Sequence, residues 1–109
     1  MPFEVLLTLG AQSDLAEIAG YLADYDSPAS AARVLDRLEH AVAGPAEFPE
    51  RGSHPRELLE LGIREYRQVF FKPYRLIYRV TGRKVYLYVV ADGRRDMQSL
   101  LSRRLLGSH

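Results

Sequence analysis

The chain has 109 residues, 47% hydrophobic and 27% charged, which is one globular domain's worth of sequence and is unlike a disordered chain. It has no cysteine, which excludes disulfides and thiolate metal sites, and His40, His54 and His109 show no metal-ligand spacing. The formal net charge of +1 hides a division: residues 1–50 carry two basic side chains against nine acidic (−7), and residues 51–109 carry thirteen against five (+8), so the second half should draw anionic partners.

The N-terminal stretch MPFEVLLTLG lacks a basic segment and is interrupted by Glu4, so it reads as a strand over residues 3–9 rather than a signal peptide. No apolar run reaches the roughly 20 residues that span a bilayer, so a cytoplasmic protein without membrane contact is expected. In SDLAEIAGYLADY, Leu15, Ile18, Ala19 and Leu22 mark one helix face, with Asp14, Glu17 and Asp24 mostly outside it. Ser27-Pro28 is a cap and first-turn pair for a second helix, whose stripe runs Ala31, Val34, Leu35, Leu38, Ala41, Val42. Gly44-Pro45 should end it and complete an antiparallel helical hairpin.

A long Pro- and Gly-rich connection follows, with one helical turn over 56–61. The period then changes to two. Strands are expected over 63–71, 74–80 and 85–91, a hairpin-linked meander in which Val85, Leu87 and Val89 share one face. Asp96 caps a last helix through Leu106 with Met97, Leu100, Leu101 and Leu105 on its apolar side. The order β-α-α-β-β-β-α describes a single α+β domain over 1–106, with the first strand joining the meander in one sheet and helices on one face of it. Gly107-Ser108-His109 reads as an appended tail.

The helical hairpin DLAEIAGYLAD, then PYRLIYRV, then VYLYVVADGRRDMQSLL, in that order, resembles the RelE/ParE superfamily of type II toxin–antitoxin toxins, nearer its ParE-like branch. The resemblance covers nearly the whole chain. It implies a toxin neutralised by a cognate antitoxin that packs against sheet and helices, and it implies no cofactor and no metal. RelE-like members are ribosome-dependent mRNA endonucleases, and ParE-like members poison DNA gyrase. The partners it implies are therefore an antitoxin and either gyrase or the translating ribosome with its mRNA.

Metal-free RNA cleavage needs a base, an acid and a cation for the phosphorane charge. By resemblance, Arg75 in PYRLIYRV and Arg95 in DGRRD match the catalytic arginines of RelE-like enzymes, and Arg79 should share the face of Arg75. The position of the RelE-like tyrosine is held by Leu101, the segment has no histidine, and Tyr66 and Gln68 stand about where lysines are expected. Glu65, Tyr66 and Tyr74 are the remaining acid–base candidates, and His54 reads as a surface residue. ParE-like chains lack the nuclease set too, but often carry His before GRRD where this chain has Asp92. What remains is a basic surface of Arg94, Arg95 and Arg79, joined by Arg103 and Arg104, near a helix N-terminus. One arginine of the pair is expected to be structural, with Arg95 placed between Asp92 and Asp96. Met97, Leu100, Leu101 and Leu105 are either core or the docking strip of the antitoxin. Three readings stand: a non-enzymatic gyrase-binding toxin, an mRNA interferase, or an antitoxin-binding scaffold without an active surface.

Overall fold

A computed structural model describes residues 3–106; the tail expected at 107–109 lies outside them. In chain order the elements are β1 (Glu4–Leu7), α1 (Leu9–Tyr25), α2 (Pro28–Glu47), α3 (Arg56–Leu59), β2 (Tyr66–Phe71), β3 (Tyr74–Thr81), β4 (Lys84–Asp92) and α4 (Met97–Leu105). They build one four-stranded sheet in the order β1-β4-β3-β2. The meander pairs antiparallel, whereas β1 runs parallel to β4, so the sheet is mixed. No helix among the described residues is long and apolar enough to cross a membrane.

Capping side chains set the starts of α1, α2 and α4. Thr8 ends β1 two residues before the expected limit because its hydroxyl accepts the N–H of Ala11 (3.1 Å) and so begins α1. Ser27 caps α2 through the N–H of Ser30 (3.0 Å), as its sequence indicates. Asp96 caps α4 through that of Ser99 (3.2 Å). The Gly44-Pro45 stop is overrun, and α2 continues through Pro45 to Glu47. Proline so near a C-terminus deletes one helical N–H, and the last turn is still held by Phe48 N–H to the Gly44 carbonyl (2.8 Å) and by Phe3 N–H to the Ala46 carbonyl (2.7 Å).

The helices occupy both faces of the sheet, not one. Strict alternation would keep Val85, Leu87 and Val89 together, but the β3–β4 register steps from Ile77↔Val89 to Tyr78↔Leu87, which leaves Tyr88 as an extra residue. This bulge reverses the phase of β4. Val85, Leu87 and Val90 join Leu76, Tyr78, Ala11 and Leu38 under α1 and α2. Val89 and Ala91 join Ile77, Tyr66, Leu58, Met97, Leu100 and Leu101 under α3 and α4. The two cores differ in completeness. Among the described residues, three half-buried hydrophobics pack around the α4 core, against twelve around the hairpin core, including Leu15, Ile18, Val34, Leu35 and Val42.

β1 stops opposite Leu87, so the edge of β4 beyond it would be left unpaired. Asp14 and Arg104 close it. Asp14 Oδ2 accepts the N–H of Val90 (2.9 Å), Arg104 Nη2 donates to the Tyr88 carbonyl (2.9 Å), and the two side chains pair in a fork of 2.9 and 3.1 Å. A Cβ at position 10 would collide with the Arg104 guanidinium, which is why glycine stands there. Asp14 is thus not a solvent-facing residue of α1, and Arg104 belongs to no basic surface.

Asp14→Ala or Arg104→Ala leaves a shielded charge and open β4 backbone groups, so each should lower stability by about 2–3 kcal/mol, read from urea midpoints. The double variant should lose markedly less than the two single losses combined; full additivity would show that the pair is not a unit.

Candidate functional site

Arg75 lies on the α3/α4 side of β3, with its stem against the strand-to-helix corner. A Cβ at Gly93 would stand 3.1 Å from Arg75 Cδ and 3.2 Å from Cγ, so the glycine makes room for that stem. Four of the five guanidinium N–H groups are engaged. It grips Glu57 of α3 through two bonds of 2.9 Å, and its Nε and Nη2 donate to Gln68 Oε1 at 3.0 and 2.6 Å. The Glu57 and Arg75 side chains are only 15% and 11% exposed, which makes this a shielded bidentate pair. The hydrogen bond from Arg75 holds the Glu57 carboxyl below its ordinary value, against the opposing effect of burial.

His54 shares this cleft of about 390 Å³ with Arg56, Glu57, Gln68, Phe70 and Arg75. Its Nδ1 lies 3.1 Å from the Tyr66 carbonyl, which only accepts, so Nδ1 is the donor in that bond. The other acid–base candidates are elsewhere. Glu65 is exposed and accepts the N–H of Arg64 (3.0 Å), and Tyr66 is buried edge-on against Tyr88. Tyr74 faces the opposite side of the sheet, in the cleft beside the other arginine pair.

At the GRRD corner the structural arginine is Arg94, not Arg95. Asp92 Oδ1 accepts from Arg94 N–H (2.9 Å) and Nε (3.0 Å), and Oδ2 from Nη2 (2.7 Å). These bonds hold the Asp92 carboxyl below its ordinary value. The Arg94 side chain is 82% exposed, so the pair shapes the turn more than it adds stability. Asp96 is committed to Ser99, whose hydroxyl lies 2.9 Å from its Oδ2. With both carboxylates taken, Arg95 makes no side-chain hydrogen bond or ion pair among the described residues.

Arg95 lines a second, open cleft of about 700 Å³ with Lys72, Tyr74, Glu17, Ile18 and Tyr21. Burial, and then the nearby Asp92 charge, raise the Tyr74 hydroxyl above its ordinary value, so it stays protonated at neutral pH and acts as a donor, not a base. Lys72 makes no hydrogen bond or ion pair among the described residues either. An apolar groove of about 250 Å³ adjoins this cleft, between α1, α2 and the sheet, lined by Leu15, Ala19, Leu35, Leu38, Val42 and Val90. Val90 belongs to both.

The residues singled out in the sequence are therefore split. Arg75 and Arg95 line different clefts. Arg79 stands over the Tyr66 ring (5.8 Å to its centroid), apart from Arg94 and Arg95. Met97, Leu100 and Leu101 are buried in the α4 core and Leu105 is half-buried against it. Glu57 and Lys72 were not anticipated, and Gln68, which stands about where the resemblance expects a lysine, instead accepts from Arg75. Glu57 is 18 residues from Arg75 in the chain, so no local spacing signals the pair.

The family model for the ParE toxin of the type II toxin–antitoxin system parDE matches residues 5–97. No curated protein matches by sequence. Among solved structures, a chain of the chromosomal ParDE toxin–antitoxin system from P. aeruginosa aligns with a TM-score of 0.70 at 17% identity, covering 83% of this chain and 95% of that one. A chain of the RelBE2 toxin–antitoxin complex from Mycobacterium tuberculosis aligns with a TM-score of 0.56 at 22% identity, covering 84% and 99%. Below 25% identity these two likenesses speak for the fold.

Because the folded-state Glu57 carboxyl is held low, its contribution to stability should be complete above its ordinary value of 4.5 and be lost as pH falls through the lowered value. Urea midpoints of wild type and Glu57→Gln should therefore differ most near neutrality and converge once pH has fallen below the lowered Glu57 value. A gap that stays constant with pH would mean that the charge of Glu57 is irrelevant.

Proposed function

Because the chain belongs to the ParE toxin family of type II toxin–antitoxin systems, we propose that it is a toxin held silent by a cognate antitoxin and that it acts by binding DNA gyrase, not by cutting RNA. The observation that carries this reading is the closure of Arg75. A guanidinium already shared between Glu57 and Gln68 offers no open fork to a scissile phosphate. Arg95, by contrast, is an exposed cation held on a firm strand-to-helix turn, in a cleft with two tyrosines and Lys72. It is the contact for the target, with Arg94 setting the turn and Arg79 outside the contact. On α4 the antitoxin reaches Leu105 and the exposed Leu106, supported from below by Met97, Leu100 and Leu101.

One observation favours a second reading, an mRNA interferase: His54, Glu57 and Arg75 stand in a single cleft, so an acid–base pair flanks the matched arginine. In that case the ion pair opens when substrate binds, and Arg95 plays no part on the phosphate.

Purified chain should inhibit supercoiling by gyrase. Arg95→Ala should raise the concentration needed by about tenfold while leaving the melting temperature unchanged, since an exposed side chain with no hydrogen bond or ion pair among the described residues holds nothing in place. Arg75→Ala should leave inhibition intact in whatever fraction remains folded. Mapping mRNA ends after induction separates the two readings: codon-positioned cuts abolished by His54→Ala would establish the interferase and dismiss the gyrase.

A further inference from the structure

The cleft of His54 and Arg75 is basic but for one group. Among its lining residues His54, Arg56 and Arg75 are basic, Gln68, Phe70 and Gly93 are uncharged, and Glu57 is the single acid. The Arg56 side chain is exposed and makes no hydrogen bond or ion pair among the described residues. Arg75 is prepared on one edge and filled on the other. Gln68 Oε1 accepts from Nε and Nη2, and the stem passes Gly93, so the guanidinium is oriented without help from Glu57. The Nη1–Nη2 edge, which suits two oxygens of a phosphate, holds the two oxygens of Glu57 at 2.9 Å each.

The two forked ion pairs that cross between elements have different duties. In the Asp14–Arg104 pair both side chains also bond the backbone of β4, at Val90 and Tyr88. Beyond its own residue, the Glu57 carboxylate accepts only from Arg75 among the described residues, so it closes no strand edge. What keeps α3 on the sheet is Leu58, 1% exposed in the α4 core. The Glu57 side chain can therefore turn to another rotamer while that anchor stays in place.

We infer that Glu57 is a built-in blocker: its carboxylate takes the place of an oxyanion on Arg75 and keeps a phosphate-binding cleft shut. Release of this one side chain leaves three basic groups around about 390 Å³ with no acid among the lining residues. The ligand class is a phosphate group, carried by a monoester or a diester. Arg75 takes two of its oxygens, Arg56 and His54 flank it, and the Phe70 ring, 59% exposed, offers a face to any base attached. A tethered carboxylate competes at high effective concentration, so the wild-type chain stays closed to dilute phosphate. The inference goes beyond the gyrase reading and does not depend on it.

The test is a titration of the chain with inorganic phosphate, read as the rise in melting temperature at constant ionic strength in chloride. Glu57→Ala should be stabilised saturably, with an apparent affinity about tenfold or more above that of wild type. Glu57→Ala/Arg75→Gln should show no such rise. Neither should Glu60→Ala, which removes one negative charge from an exposed residue nearby. If Glu57→Ala does not fold, Glu57→Gln decides, because it keeps the shape of the side chain, loses the charge and should still respond at lower phosphate than wild type. Equal responses of wild type, or of Glu60→Ala, and the Glu57 variants overturn the inference, and so does no response in either Glu57 variant. Competition then identifies the source of the phosphate in the responding variant. Displacement by a nucleoside monophosphate supports a monoester ligand, and displacement by an RNA oligonucleotide without a terminal phosphate supports a diester. Displacement by neither leaves an adventitious ion only and overturns the proposal.

Discussion

The fold depends on how the edge of β4 is closed beyond Leu87. β1 is only four residues long, and a buried strand edge with free N–H and C=O groups would be costly. Asp14 and Arg104 supply the missing partners with side chains, one from α1 and one from α4, helices packed on opposite faces of the sheet. Their ion pair therefore does three things together: it satisfies the Val90 N–H and the Tyr88 carbonyl, ties the two helical layers to each other, and holds the backbone at the bulge. Because α1 is one wall of both the groove and the Arg95 cleft, the placement of both descends from this contact.

The bulge at Tyr88 makes the second decision. By inserting one residue it divides the β4 side chains between two cores that differ in quality. The α3/α4 core is filled, with Ile77, Val89 and Leu101 fully inaccessible. The hairpin core leaves leucines and valines half-covered, and α1 has a single buried residue, Ala11. A chain that is finished on one side and unfinished on the other has kept apolar surface available for association, at a cost in its own stability.

Charge follows the same logic of use. The second half of the chain carries a formal excess of eight positive charges, yet much of that excess serves the fold. Arg104 closes an edge, Arg75 fastens α3 to the sheet through Glu57, Arg67 holds the carbonyls of Glu50 and Gly52, and Arg94 shapes a turn. In the cleft below the GRRD turn, Arg95 and Lys72 are without an ion pair among the described residues and stand beside Glu17.

The elements and their order were legible because their signals are local. Ser27-Pro28 and Asp96 mark helix starts by side chains that bond backbone two or three residues away, and a period of two marks the meander strands. The limit of α2 was missed because its last turn is held in part by Phe3, and that of β1 because the local Thr8 cap lies inside an apolar run. Alternation placed Arg75 and Arg79 on a common face correctly and failed in β4, because a bulge is decided by how two strands fit and not by either one. The site was least legible for the same reason. Nothing near Arg75 announces Glu57, and Asp14 meets Arg104 across 90 residues of chain. Helices, strands and the cationic character of the second half come from neighbours in sequence, and so from side-chain chemistry alone. Which arginines are spent on the fold and which are not is decided by packing, since an ion pair requires a partner that only the folded chain brings within reach.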